Sequence, residues 1–322
     1  MSEITAESRP SGLKIGLGLL VIYLVWGSTF LAIRIGVEAL PPLLMSGFRW
    51  TLAGSVLLAF AWLRGATAAS PKEWLRAAGL AVLLIAASNG GVTWAESRVE
   101  SGPAALFVAT VSLWMVLFDW LRPGGTRPTA RVAVGLAFGL SGVLFLSGFL
   151  SRGVAHVDPA GAAVLILSSA AFAAGSLLSR KPSASPLRDA SMQMLTGGAT
   201  LLVTGLLAGE RLTGVSARGA SAVLYLVVFG SLVGFNVYAW LLRVAPPAVV
   251  STYACVNPVV AVLLGWAFAG ETLNARTLVA TGLIVLAVAL IVSSRVNRPP
   301  ASVEPESEVR KMPALVENDC HS

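Results

Sequence analysis

The chain has 322 residues, of which 56% are hydrophobic and only 12% are charged, and its formal net charge is +7. Soluble domains carry about 25% charged residues, so this composition leaves too little polar surface to cover a globule. The apolar residues also stand in long blocks instead of recurring with the period of an amphipathic helix or strand. These features exclude a soluble globular protein and predict a polytopic membrane protein.

Ten apolar blocks are long enough to cross a bilayer as helices. A hydrocarbon core of about 30 Å needs roughly 20 residues in a helix, and unpaired backbone groups in lipid favour helices. This length predicts spans at about residues 13–35, 43–63, 74–95, 102–121, 130–150, 159–179, 188–208, 219–242, 247–269 and 274–294. The predicted fold class is therefore all-α integral membrane, with ten transmembrane helices.

The basic residues predict how these spans are oriented. With the N-terminus inside, 16 of the 23 Lys and Arg residues fall on the cytoplasmic side, 6 fall outside and Arg49 lies within a span. This bias follows the positive-inside rule and accounts for the net charge without a nucleic-acid partner. We expect a bacterial-type inner (plasma) membrane protein with both termini cytoplasmic. Residues 1–12 would form a short cytoplasmic segment, and the Pro- and charge-rich residues 295–322 a disordered tail.

Residues that ligate metals or act as nucleophiles are scarce and scattered. The chain has two cysteines, Cys255 and Cys320, and two histidines, His156 and His321. They form no ligand spacing, and no histidine falls in a span to act as a base for a nucleophile. We therefore expect no metal, no cofactor and no catalytic site.

The two halves of the chain are similar to each other at a shift of about 147 residues. Small and polar residues recur in nearly constant register: Gly27-Ser28 matches Gly175-Ser176, Asn89 matches Asn236, and Gly135 matches Gly282. Because each half holds five spans, the second repeat (159–294) would enter the membrane inverted relative to the first (13–150). Inverted repeats are typical of secondary transporters, with the substrate site near the midplane between the halves.

Polar and aromatic residues within the spans are the candidates for a substrate pathway, because a plain lipid anchor does not need them. The candidate substrate-binding residues are Trp26, Ser28, Arg49, Trp94, Thr110, Trp114, Ser176, Tyr238, Tyr253 and Asn257. The candidates for gates or helix bends are Asn89, Asn236 and Pro258. A tryptophan offers a stacking face and one donor, and a proline within a helix frees a backbone carbonyl.

Two interpretations stay open for several of these residues. Gly27 and Ser28 also suit close helix packing, with the hydroxyl bonded back to a carbonyl. Arg49 within a span costs up to about 3 kcal/mol, so it needs a partner. That partner is either Glu96, at the end of the third span, or a carboxylate on the substrate. Glu96 is also the candidate for proton coupling, because carboxylates within the spans are nearly absent.

The segments "WGSTFLAIRIGVEALPPLLMSGFRW", "STYACVNPVVAVLLG" and "GETL" resemble the EamA-type permeases of the drug/metabolite transporter superfamily, and the YedA-like branch most closely. The resemblance covers about residues 14–294. It implies a ten-helix inverted-repeat fold that carries small metabolites by alternating access, often outward, with amino acids and related compounds the commonest cargo. It also implies that spans one to four and six to nine line the cavity.

One departure from these relatives affects the fourth span, and several functions stay open. Relatives usually place a proline at the position of Ser112, so we expect a helix here that is straighter or that moves less. The expected partners are a small-molecule substrate and the lipid bilayer, and a monomer is compatible with the sequence. The alternatives to export or exchange are import, or efflux of a drug-like cation. A polytopic membrane enzyme or scaffold is the remote alternative.

Overall fold

The computed structural model describes residues 12–123, 127–147, 157–179, 185–212, 214–245, 247–250 and 252–296. Most of the predicted N-terminal segment, His156 and the tail from residue 297 onward lie outside the described residues.

Every regular element in the described part of the chain is a helix. The helices are α1 (Gly12–Ala39), α2 (Pro42–Leu63), α3 (Pro71–Ala95), α4 (Ser101–Leu121), α5 (Ala130–Ser147), α6 (Pro159–Leu178), α7 (Pro186–Leu207), α8 (Ala217–Tyr225, Leu226–Val233 and Gly234–Val244), α9 (Tyr253–Ala269, preceded by the short turn Pro247–Val250) and α10 (Ala275–Val296). Seven of them, α1–α4 and α6–α8, are long and apolar enough to cross a membrane, and α5, α9 and α10 contain shorter apolar stretches. The all-helical prediction is confirmed.

Local sequence signals explain where the helices begin and end. Four helices have proline as their first residue, at Pro42, Pro71, Pro159 and Pro186, where the missing N–H costs nothing. Ser70 and Glu73 form a reciprocal capping box at the start of α3. Gly65 and Gly209, with φ of 82° and 79°, follow the ends of α2 and α7. This left-handed conformation favours glycine at a helix C-terminus.

Two helices contain π-helical stretches, at Val82–Gly90 in α3 and Leu226–Val233 in α8. A π-helical turn changes the backbone hydrogen-bond register, and such turns are frequent at functional sites. In α3 the side chain of Asn89 donates to the carbonyl of Leu84 at 2.8 Å. The stretch in α8 leaves the carbonyl of Gly230 close to α1. Both stretches border the cavity described below.

The fourth span is interrupted, although it has no proline. Its two parts, Ser101–Val108 and Val111–Leu121, are separated by a turn at Ala109 and Thr110. Tighter i→i+3 hydrogen bonds cross this turn, including Leu113 N to Thr110 O at 2.9 Å. The absence of proline therefore does not make the fourth helix continuous.

Glycines let α2 and α7 pack closely along most of their lengths. A Cβ atom on Gly54 would lie 2.8 Å from the backbone nitrogen of Leu195, and one on Gly47 would lie equally close to that of Leu202. Residue numbers run in opposite directions along this contact, so the two helices are antiparallel. Small residues at such interfaces let helix backbones approach within a membrane.

The remaining contacts arrange the helices around a central space. α5 packs against α10, where Gly135 and Gly139 lie against Ala287, so the GxxxG motif of α5 serves a neighbouring helix of the same chain. α1 packs against α8 and α9, and α6 packs against α3 and α4. These contacts leave α5 and α10 together, away from the cavity.

Candidate functional site

A cavity of about 160 Å³ lies among α1, α2, α3, α4, α6, α8 and α9. None of its described lining residues belongs to α5, α7 or α10. The expectation that the seventh span lines the cavity is not met, because α7 packs its small residues against α2. Most of the lining is apolar or aromatic, as in typical small-molecule sites.

Three aromatic residues from three helices form one wall of the cavity. The ring centroids of Trp26 and Tyr238 lie 5.0 Å apart, those of Trp26 and Tyr253 lie 5.2 Å apart, and the two tyrosines lie 5.9 Å apart. The indole Nε1 of Trp26 donates to the carbonyl of Gly230 at 3.3 Å, and Gly234 packs against the same indole. The two tyrosine hydroxyls donate to no other described residue and are available to a ligand.

Arg49 is the charged residue of the described lining. It is only 4% exposed, its Nε donates to Ser231 Oγ at 3.1 Å, and its guanidinium stacks 4.6 Å from the ring centre of Trp50. Among the described residues, no carboxylate forms an ion pair with it. A buried charge without a partner is costly, so this part of the cavity favours an anion.

Glu96, one of the two partners considered for Arg49, is not paired with it. Glu96 is 0% exposed, and both of its carboxylate oxygens lack a hydrogen-bond partner among the described residues. Arg34 donates to the backbone carbonyl of Glu96 at 2.7 Å, not to the carboxylate. The hypothesis of a structural Arg49–Glu96 ion pair therefore does not match the described geometry.

Three further candidates lie at or beside the cavity. Asn257 is buried and lines the cavity, and its Oδ1 has no hydrogen-bond partner in the described part of the chain. Pro258 follows it within α9. Asn89 lines the cavity from the π-helical stretch of α3. The amide of Asn257 is thus available to a ligand, while the Asn89 amide is held by its own helix.

Two hydroxyl candidates lie outside the lining and bond to nearby carbonyls. Ser28 Oγ donates to Val25 O at 2.9 Å and lies 2.6 Å from the hydroxyl of Tyr225. Thr110 Oγ1 donates to Phe107 O at 2.6 Å. Both hydroxyls are satisfied by hydrogen bonds to carbonyls of their own helix, which for Ser28 is the packing interpretation.

Four other candidates also lie away from the described lining: Trp94, Trp114, Ser176 and Asn236. Arg98 stacks 4.4 Å from the ring centre of Trp94, and Trp114 packs against Phe118 with centroids 5.5 Å apart. Asn236 is exposed, and its Nδ2 donates to Leu232 O at 2.6 Å.

The cavity also contains residues that the sequence analysis did not single out: Trp50, Ser88, Ser168, Ser169 and Phe172. Ser168 and Ser169 are adjacent hydroxyls within an apolar span, and this pattern was the available signal. Ser168 donates to Ala87 O at 3.0 Å and Ser169 to Leu165 O at 2.9 Å. They therefore contribute polar surface but few free hydrogen-bonding groups.

Membrane-length helices that surround a cavity with a buried cation and an aromatic wall are typical of multi-pass membrane transporters. The model of the EamA-like transporter family matches residues 13–148 and 159–293. The chain belongs to this family, within the drug/metabolite transporter superfamily, and the predicted family is confirmed.

Known relatives agree with this assignment. The chain is 42% identical over 276 residues to "Uncharacterized inner membrane transporter YedA" of Escherichia coli (strain K12), covering 85% of this chain and 89% of the relative. It is 26% identical over 293 residues to "Probable amino-acid metabolite efflux pump" of Salmonella typhimurium (strain LT2), covering 84% and 94%. A crystal structure that is 21% identical shares the fold with a TM-score of 0.63, covering 90% of this chain and all of that one. The protein is a multi-pass inner membrane transporter.

Proposed function

We propose that the protein is a ten-helix carrier built from two inverted five-helix repeats, with both termini cytoplasmic. The packing supports this arrangement, because each helix of the first half contacts the counterparts of the helices that its own counterpart contacts in the second half. Here α1 to α5 correspond to α6 to α10. α2 with α7 and α5 with α10 map onto themselves, and α1 with α8 and α9 maps onto α6 with α3 and α4. The left-handed glycines Gly65 and Gly209 also follow equivalent helices.

We propose further that the cargo is a small metabolite with a carboxylate, an amino acid or a related compound, carried outward or exchanged by alternating access. The observation that carries this proposal is Arg49, a buried cation that borders the cavity without a carboxylate partner. Its fork of donors matches a carboxylate in a bidentate pair. The remaining described lining is neutral, so the substrate is the natural source of the missing negative charge.

The rest of the cavity suits the other parts of an amino acid. The aromatic wall of Trp26, Tyr238 and Tyr253 offers faces for an apolar side chain or, through cation–π attraction, for an ammonium group. The free amide of Asn257 and the two tyrosine hydroxyls offer hydrogen bonds that fix orientation. A purely cationic drug fits less well, because it would meet Arg49 and no carboxylate in the described lining.

The direct test is uptake of a panel of labelled amino acids into inside-out membrane vesicles, with and without a proton gradient. The wild type is compared with Arg49→Gln and Arg49→Lys, and Arg64→Gln is the matched control. Arg64 lies at the other end of the same helix, exposed and stacked 4.9 Å from the ring centre of Phe60. The amount of inserted protein is measured for every variant.

The proposal expects accumulation of at least one amino acid by the wild type and by Arg64→Gln, and its loss in Arg49→Gln. Arg49→Lys should retain part of the activity, because an ammonium keeps the charge but not the bidentate geometry. Unchanged transport by Arg49→Gln would make Arg49 structural. If no amino acid accumulates in any vesicle, the cargo class is wrong.

A further inference from the structure

Glu96 is a buried acidic residue that is not among the described residues lining the cavity. It lies in the connection between α3 and α4, directly after the last helical residue of α3. Its two carboxylate oxygens have no hydrogen-bond partner among the described residues, and the side chain is fully buried. Burial of an ionised carboxylate without a partner is costly, so this geometry favours a protonated side chain.

The charged groups that act on Glu96 come from several segments of the chain. Arg34 on α1, Arg49 on α2 and Glu271 after α9 all act on it electrostatically, and Glu100 lies on the same connection. Burial, followed by the nearby Glu271, raises the pKa of Glu96 well above its ordinary value. The two arginines oppose this shift.

Most of these groups are already engaged. Glu271 accepts three hydrogen bonds at the start of α4. Arg34 pairs with Glu38 at 3.7 Å and binds the Glu96 carbonyl. Arg49 remains as the nearby cation without an ion pair in the described part of the chain.

We propose that Glu96 is a proton-binding site that controls whether Arg49 is available to an anionic substrate, so that a proton and a substrate carboxylate bind together. The inference rests on the proposed function in which Arg49 binds the carboxylate. When Glu96 is protonated, Arg49 faces the cavity, bonded only to Ser231. When Glu96 is ionised, it attracts the Arg49 guanidinium and competes with the substrate for it.

The charge balance of this scheme is simple. The proton resides on a carboxylate oxygen of Glu96, the substrate carboxylate contacts Arg49, and no covalent bond of the substrate changes. A monoanionic carboxylate with its proton crosses as an electroneutral pair, whereas a zwitterionic amino acid with the proton carries one positive charge. Proton and substrate move in the same direction, so outward transport is driven by the gradient of the substrate, and the proton leaves with it.

The first test needs no substrate. Infrared difference spectra of the purified full-length protein in lipid follow the carbonyl band of protonated carboxylic acids as the pH is raised. The expected wild-type signal includes a component that Glu96→Gln removes. Arg49→Gln should move its midpoint upward by about one pH unit, because a nearby cation lowers the pKa of a carboxyl group. Arg98→Gln, which removes a cation stacked on Trp94, is the control and should leave the midpoint unchanged.

A band that survives Glu96→Gln, or a midpoint that Arg49→Gln does not move, would overturn the proposal. The second test adds phenylacetate, which has a carboxylate and an aromatic ring. Calorimetric titration in buffers of different ionisation enthalpy counts the protons taken up on binding, at a pH above the midpoint. The wild type should take up protons, and Glu96→Gln should bind phenylacetate without proton uptake.

If phenylacetate binds to the wild type without proton uptake, the proposed link between Glu96 and Arg49 is overturned. The proposal that Arg49 binds a carboxylate is then unaffected. If phenylacetate does not bind to the wild type, the carboxylate site fails for this probe, and the infrared shift alone supports or overturns the link between Glu96 and Arg49. Circular dichroism and elution as a single peak confirm that each variant is folded before it is compared.

Discussion

The carboxylate of Glu271 caps the helix that begins at Ser101. It accepts hydrogen bonds from the backbone nitrogen of Ser101 at 2.7 Å, from Ser101 Oγ at 2.6 Å and from the backbone nitrogen of Gly102 at 2.9 Å. Glu271 directly follows Gly270, whose φ of 69° ends α9. One side chain therefore ties the end of α9 to the start of α4, and both helices contribute to the cavity wall.

We predict that Glu271→Ala lowers the free energy of unfolding by about 1–2 kcal/mol, because it removes both the cap and a negative charge from the N-terminus of a helix. Glu271→Gln should lie between Ala and the wild type, since an amide oxygen still accepts. Thermal unfolding in detergent measures the difference. Glu38→Ala, at a half-exposed carboxylate paired 3.7 Å from Arg34, is the control, and an equal loss there would contradict the prediction.

A second prediction concerns the close contact of α2 and α7. A Cβ atom on Gly198 would lie 2.5 Å from the backbone nitrogen of Thr51 and 3.0 Å from the carbonyl of Gly47. Backbone cannot move aside as a flexible side chain does, so Gly198→Ala should destabilise the protein by about 1–3 kcal/mol. Gly282→Ala is the matched control, because nothing lies within 4 Å of its Cβ position.

Gly282→Ala should be neutral or slightly stabilising, since alanine favours helices over glycine by up to about 1 kcal/mol. The test compares the midpoints of thermal unfolding of the two variants, measured in the same detergent. A Gly198→Ala protein as stable as Gly282→Ala would mean that the helices separate without cost.

Helix positions follow from the sequence because their signals are local. The second span was predicted at about 43–63 and forms at Pro42–Leu63, where apolar length, a first-turn proline and a terminal glycine agree. The interruption of α4 at Ala109 and Thr110 has no such signal. It depends on contacts with neighbouring helices, which propensity does not describe.

The cavity was harder to predict, because a polar residue in a span does not reveal which way its side chain faces. Thr29 borders the cavity and its neighbour Ser28 does not, since consecutive helical residues point about 100° apart. Asn89 and Asn236 match in the repeat, yet Asn89 lines the cavity and Asn236 is exposed. The π-helical stretches alter the register of α3 and α8, and no local pattern in the sequence marks them.

The inverted repeat predicts that the ends of α2 and α7 face opposite sides of the membrane. Single cysteines at exposed Ala68 and Arg211, in a protein with Cys255→Ser and Cys320→Ser, test this by labelling of intact cells with a membrane-impermeant maleimide. Arg211→Cys should react, and Ala68→Cys should react only after the cells are opened. Labelling of both positions from the same side would contradict the inverted arrangement.

The last prediction concerns the aromatic wall. Trp26 contacts both Tyr238 and Tyr253 and binds the carbonyl of Gly230, so it holds the wall together. Aromatic pairs contribute about 0.5–1.5 kcal/mol each beyond buried area. Trp26→Ala should therefore weaken phenylacetate binding roughly tenfold or more, measured calorimetrically, and Trp26→Phe only a few fold, because it keeps a ring.

Trp62→Ala is the control for this series. Trp62 lies near the end of α2, is 58% exposed and does not line the cavity, so its loss should leave the Kd unchanged. Equal effects of Trp26→Ala and Trp62→Ala would show that the substitutions act through general stability, and unchanged binding in Trp26→Ala would remove the aromatic wall from the site. If phenylacetate affinity falls a little in Trp26→Phe, more in Trp26→Ala and not at all in Trp62→Ala, the ring of the ligand lies against this wall, within reach of Arg49.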